Sequence, residues 1–222
     1  MKQHRQAIQR FITAGILGSL FWAVFFYMPV IAFSVLLGII ITIILIKEWG
    51  KFFRLNHFWF WFIMPWYPIL PFVLMIYLNH NTCYRLLLYY TFVIVFSFDS
   101  AAYVVGKLIG HYKITPIISP GKTLEGCIGG ILFTFGAFEF ALYNANVVMP
   151  WPTKTLLIMV GCMLAFLGDI FESFLKRKAH LKDSGDLLPG HGGFLDRFDA
   201  VMMVSYFVFL FRHELAQAIC PL

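Results

Sequence analysis

Ser173–Asp199 reads SFLKRKAHLKDSGDLLPGHGGFLDRFD. These twenty-seven residues hold five basic side chains (Lys176, Arg177, Lys178, Lys182, Arg197), four carboxylates (Asp183, Asp186, Asp196, Asp199), four glycines, and His180 and His191. In a chain that is 60% hydrophobic and 13% charged, such a stretch is a polar island, and the apolar runs on either side of it call for a solvent other than water. Mixed charge with glycine also suits a polyphosphate and its metal. Carboxylates hold the cation, basic groups hold phosphate oxygens, and glycine lets backbone amides come close.

Outward from that island, the mean hydropathy of +0.80 and the 26 Phe, 10 Tyr and 6 Trp exclude an ordinary soluble domain. Apolar runs approaching the twenty residues of a spanning helix predict seven spans. These are Phe11–Tyr27, Val30–Ile46, Phe58–Leu78, Leu86–Gly106, Thr123–Leu142, Thr155–Leu175 and Phe198–Phe211. The expected fold is therefore an all-α polytopic helical bundle forming one membrane domain over 1–222, with N-terminal spans in 1–98, a polar core in 99–199, and the last span and tail in 198–222. Pro65, Pro68 and Pro71 predict a kinked or broken third span. The N-terminal MKQHRQAIQR and the apolar run after it read as an uncleaved first helix, since that run is too long for a signal peptide and no small-residue cleavage site follows. Cys83, Cys127, Cys162 and Cys220 are scattered without a CxxC pair and read as free thiols.

The basic residues set an orientation. Fourteen Lys and Arg fall on one side of the seven-span arrangement, whereas Arg85, Lys154 and Arg212 fall on the other. The positive-inside bias places the N-terminus, the segment Lys107–Lys122 and the polar island in the cytoplasm. A net charge of +6 distributed this way is a loop-anchor pattern and gives no reason to expect nucleic acid.

Acids inside apolar runs usually face the bundle interior and mark function. On the fourth span Asp99, Tyr103, Gly106 and Lys107 share one helix face, and on the sixth Asp169, Glu172, Ser173 and Lys176 do the same. Asp99 lies about 12 Å along its helix from Lys107, and Asp169 about 10 Å from Lys176, so both acids sit at similar depth. Asp196 and Asp199 open the seventh span behind Gly192 and Gly193, where a free helix N-terminus suits phosphate. Singly, each has a structural reading: Asp196 as a cap, Asp99 as a partner of Lys107, and Lys176–Lys178 as an interfacial anchor. Together they favour one polar pocket.

These residues resemble the signature of the phosphatidate cytidylyltransferases, the CDP-diacylglycerol synthases. The resemblance rests on Ser173, Leu175, Lys176, Arg177, Lys182, Asp183, Pro189, His191, Gly192, Gly193, Asp196, Arg197 and Asp199, with the upstream block Asp99-Ser100, Tyr103, Gly106-Lys107, Ser119-Pro120-Gly121-Lys122-Thr123, Glu125-Gly126, Gly129-Gly130, Gly168-Asp169 and Glu172-Ser173. It implies transfer of a cytidylyl group from CTP to phosphatidic acid in phospholipid biosynthesis, at the cytoplasmic face of the bacterial inner membrane. It also implies Mg²⁺, with room for a second, monovalent cation such as K⁺, and allows a homodimer among membrane lipids.

On this reading Asp169 and Asp196 are the first candidates for metal ligands and Asp199 the next. Asp169, Lys182, Asp183, Asp196 and Arg197 form the expected catalytic set. Asp99, Lys107, Ser119, Lys122, Thr123, Ser173, Lys176, Arg177, His191, Gly192 and Gly193 are the expected substrate contacts. SPGKT lacks the upstream glycine and preceding strand of a Walker A loop. The alternatives are a CTP-using relative acting on another lipid (a polyprenol kinase or an ether-lipid cytidylyltransferase) and a cation or proton transporter. A CDP-alcohol phosphatidyltransferase would need a DGxxAR motif, which the sequence lacks.

Overall fold

The computed structural model describes residues 15–16, 18–52, 57–188 and 192–220. The start of the expected first span and His191 lie outside them. Eight helices are described: α1 (Gly18–Tyr27), α2 (Val30–Phe52), α3 (Phe58–Asn79), α4 (Thr82–Ile109), α5 (Leu124–Asn144), α6 (Trp151–Lys178), α7 (Leu195–Leu210) and α8 (Arg212–Ile219). Helices α2 to α6 are each long and apolar enough to cross a bilayer, while α1 and α7 are shorter and stand where the first and seventh spans are expected. Large apolar side chains point outward along the helices, among them Leu132, Phe133 and Phe140 on α5. Such a surface is tolerated against lipid and not against water. The chain is an all-α polytopic membrane protein.

Two local departures have physical causes. Pro65 and Pro68 do not break α3, because Pro65–Ile69 widens into a π-helical turn and the helix continues. Where a cytoplasmic loop is expected, Lys113–Thr115 (β1) and Ser119–Thr123 (β2) pair as a small antiparallel hairpin, with Tyr112 and Glu125 tied at its open end by a backbone N–H donating to the carboxylate.

The described chain divides into two compact units. The first comprises Met1–His80 and Leu175–Phe198. In it the Asn79 side chain donates to the Val30 carbonyl at 2.8 Å and to Ser34 at 3.0 Å, joining the end of α3 to the start of α2. Trp49 is fully buried beside Phe60 and Tyr67, and its indole donates to the Phe60 carbonyl.

The second unit comprises Asn81–Phe174 and Asp199–Leu222. Asn81 caps α4 by accepting from the amides of Cys83 and Tyr84. Helices α4 and α5 approach closely along small residues: a side chain at Gly126 would lie 2.6 Å from the Ala102 carbonyl, and one at Gly130 2.9 Å from Phe98. Gly168 does the same for α6 and α7, where a side chain would meet the Asp199 carbonyl at 2.6 Å.

Two of the four cysteines depart from the free-thiol expectation. Cys83 and Cys220 form a disulfide with a Cα–Cα distance of 6.1 Å, because α8 folds back beside the start of α4 and Tyr84 meets His213 at 3.0 Å. Cys127 and Cys162 are free. Maleimide labelling of denatured, unreduced protein should therefore modify two thiols, and four after reduction, as read by intact mass. Four without reductant would contradict the pairing.

Candidate active site

In the first unit the polar island folds over a lysine–carboxylate pair. Lys176, on the last turns of α6, donates to Asp196 Oδ1 at 2.7 Å, and both side chains are nearly buried, 11% and 6% exposed. The other oxygen of Asp196 accepts from the amides of Gly193 and Ser184, at 2.8 and 2.9 Å, and from the Ser184 hydroxyl at 2.8 Å. Burial works against ionisation of Asp196, but the Lys176 ammonium and these hydrogen bonds outweigh it and hold the carboxyl below its ordinary 3.8. Asp196 lies ahead of the apolar run that starts at Phe198. Because its folded value is depressed, its stabilising contribution is present in full above pH about 3.8 and is lost as pH falls through the lowered value. The acid limb of a stability profile should flatten there in Asp196→Asn, and an unchanged limb would contradict the pairing.

The glycines are dictated by the same geometry. Gly192 has φ +79° and would place a side chain 2.5 Å from Asp196 Oδ2. A side chain at Gly193 would meet Ser184 Oγ and, at 2.5 Å, Glu48 Oε1. Gly193→Ala should cost about 1–3 kcal/mol, lowering Tm in detergent by roughly 5 °C. An unchanged Tm would show that the loop is looser than described.

The second unit collects acids from three helices. Asp199 is buried, hydrogen-bonds with Glu172, and lies within electrostatic reach of Asp169 and Asp99. Asp169 Oδ2 pairs with Lys122 at 2.5 Å, and Oδ1 accepts from the Ser173 hydroxyl at 3.3 Å. Lys122, brought in by β2, also lies 4.7 Å from the centre of the Phe166 ring.

Asp99 and Asp169 each bear electrostatically on Asp199 in the second unit, and in the first Asp196 is held by Lys176, Ser184 and Gly193. Thr123, expected against substrate, is buried and caps α5 by accepting from the Gly126 amide. Lys107 is exposed with its ammonium 5.9 Å from the Tyr103 ring centre, and Ser119 accepts through its carbonyl from Thr115. Lys182, Asp183, Arg177 and Arg197 are exposed on the island, with Arg177 donating to the Leu181 carbonyl.

Two residues of the first unit were not anticipated. Glu48 is fully buried and accepts from the amides of Phe194 and Leu195 and from Ser184. Its signal was available, since it is the only acid among the first 98 residues. Ser184 carries no such mark.

The donor set bears on the expected Mg²⁺. Among the described residues no three His, Cys, Asp or Glu side chains are grouped to enclose a metal. Asp169 and Asp196 nonetheless each already hold a cation, an ammonium, on one carboxylate oxygen. Mg²⁺ commonly binds through one or two carboxylates completed by substrate phosphates and water, so the residues fit a metal that arrives on a triphosphate.

Comparison with known proteins agrees with these chemical features. The model of the cytidylyltransferase family matches residues 50–215. A protein of Bacillus subtilis (strain 168) named phosphatidate cytidylyltransferase is 42% identical over 122 residues, covering 55% of this chain and 45% of that one. A namesake from Staphylococcus aureus (strain COL) is 44% identical over 119 residues, covering 52% and 44%. Another from Rickettsia bellii (strain RML369-C) is 35% identical over 183 residues, covering 78% and 77%. The chain thus spans a little under half the length of the Bacillus and Staphylococcus relatives and about three quarters of the Rickettsia one. With the family model reaching from the end of α2 into α8, the chain belongs to the cytidylyltransferase family.

Proposed function

We propose that the chain transfers a cytidylyl group from CTP to phosphatidic acid, giving CDP-diacylglycerol and pyrophosphate. The observation that carries this reading is the pairing of Lys176 with Asp196 behind the amide of Gly193, the arrangement that a phosphate and its cation would enter. The names of the relatives point to the same lipid and nucleotide.

In the reaction a phosphate oxygen of the lipid bonds to the α-phosphorus of CTP, and the bond from that phosphorus to the bridging oxygen of the β-phosphate breaks. The nucleophile is already an anion, so the chain has no proton to remove. Its task is to bring two polyanions together and to stabilise charge on the leaving pyrophosphate. Lys122 and Lys176 would turn from their carboxylates to phosphate oxygens, and exposed Lys182, Arg177 and Arg197 would add to the field that draws in both substrates. Each of the two carboxylates, Asp169 in the second unit and Asp196 in the first, would offer an oxygen to Mg²⁺, which when bound screens the triphosphate charge. Ser173 keeps Asp169 oriented through its hydroxyl.

Two independent features support a side of the membrane for the site. Positive charge clusters toward Lys107 and Lys122, and the Cys83–Cys220 disulfide lies at the opposite end of α4, about 36 Å of helix away. Disulfides persist outside a reducing cytoplasm, which supports a site facing the cytoplasm of a bacterial inner membrane.

Pyrophosphate release by purified protein should require both phosphatidic acid and CTP. Release without lipid, or cation flux in liposomes with no release, would overturn the reading, the second in favour of a transporter.

A further inference from the structure

We propose that Glu48 is a positioning residue for this transfer, holding the glycine loop and the first turn of α7 so that Asp196 and Lys176 keep their mutual arrangement. The inference rests on the reading of function above and extends it to a residue outside the signature and outside the span matched by the family model.

Glu48 sits in a π-helical turn, Ile44–Trp49, of an otherwise apolar helix and is 0% exposed. A carboxylate survives there only when donors satisfy it. Three do: the Phe194 amide at 2.8 Å on Oε1, and the Leu195 amide at 2.8 Å and the Ser184 hydroxyl at 3.2 Å on Oε2. Phe194 precedes α7 and Leu195 begins it, so these amides lack carbonyl partners within the helix. Glu48 therefore supplies from α2 the cap that α7 needs.

The three consecutive amides of residues 193 to 195 are divided between two carboxylates. Gly193 serves Asp196, and the next two serve Glu48. Ser184 faces both carboxylates with a single hydroxyl proton to give. A shift of Glu48 would thus redistribute the donors that fix Asp196.

The loop is moulded on the Glu48 side chain. A side chain at Gly185 would lie 3.2 Å from Glu48 Cγ and Oε1, and one at Gly193 2.5 Å from Oε1. Trp49, fully buried and bonded to the Phe60 carbonyl, fixes the π turn from the other side. Turns of this kind are frequent at functional sites.

The test compares Glu48→Gln and Ser184→Ala with wild type. The carboxamide of Glu48→Gln turns an N–H toward an amide that needs an acceptor. Its kcat for CDP-lipid formation, per folded molecule, should fall about 10- to 100-fold, the range typical of outer-shell partners, with KM for CTP changed less than about threefold. Amide hydrogen exchange at Phe194 and Leu195 should rise at least tenfold. Ser184→Ala, which keeps both carboxylates, should lose roughly five- to tenfold in kcat and serves if Glu48→Gln does not fold. An unchanged kcat with only a lower Tm would make Glu48 a structural cap and overturn the proposal, as would an unchanged kcat in Ser184→Ala. If wild type makes no CDP-lipid, the functional reading fails, while the exchange measurement still tests the contact.

Discussion

Asp196→Asn should lower turnover with CTP and phosphatidic acid on the order of a thousandfold while the protein still folds. The substitution keeps an oxygen for the amides of Ser184 and Gly193 but sets a neutral NH₂ against the Lys176 ammonium. Both partners are nearly buried, and leaving one charge of such a pair uncompensated costs about 3–5 kcal/mol. Part of that cost would appear as a lower Tm, and the rest as a Lys176 no longer poised for phosphate. Turnover within threefold of wild type in folded protein would remove Asp196 from the reacting centre. Asp196→Glu, which keeps the charge, should recover part of the loss if charge matters more than placement.

The second large effect should come from the Lys122–Asp169 pair. Asp169→Asn removes the counterion of Lys122 and one of the acids around Asp199. Turnover should fall on the order of a hundredfold or more. Lys122→Ala should give a comparable loss, because Lys122 is the cation that β2 carries to Asp169. If the two act as a unit, the double variant should lose little beyond the worse single one, since residues that share an interaction are not additive. Losses that multiplied in the double variant would mean that the two residues serve the reaction separately.

Much of the fold was legible because lipid imposes a length. Among the described residues, the second to sixth expected runs lie in helices long enough to span, displaced by a few residues at their ends. The ends were less legible because charge was taken as a stop signal. The second span is expected to finish at Ile46, yet α2 carries on through Lys47 and Glu48 to Phe52, since buried donors satisfy Glu48. Pro65, Pro68 and Pro71 read as a kink or a break, and a π turn at Pro65 and Pro68 keeps the helix continuous. The hairpin around Ser119–Thr123 escaped because Gly and Pro there read as loop. Cys83 and Cys220 are 137 residues apart, and nothing in their spacing links them.

The candidate site divides in the same way. Asp99, Asp169 and Asp199 could be grouped from their depth along three helices, and the structure brings those three into electrostatic reach. The partners of Asp196 were not legible, because Gly193 and Ser184 meet it by backbone amides that no residue pattern encodes. Glu48 stood out as the only acid among the first 98 residues, but its role as a cap did not. A single acid at the end of an apolar run looks like an interfacial residue until the donors arriving from residues 184, 194 and 195 are seen.

Incubation of the purified protein with phosphatidic acid and Mg²⁺, using CTP labelled either at the α- or at the γ-phosphorus, tests cytidylyl transfer most directly. The α-label should pass into the organic-soluble lipid and the γ-label should stay in water as pyrophosphate. Label from the γ-position in the lipid would mean phosphoryl transfer by a CTP-dependent lipid kinase, and no label in the lipid from either nucleotide would mean that this chain does not perform the reaction.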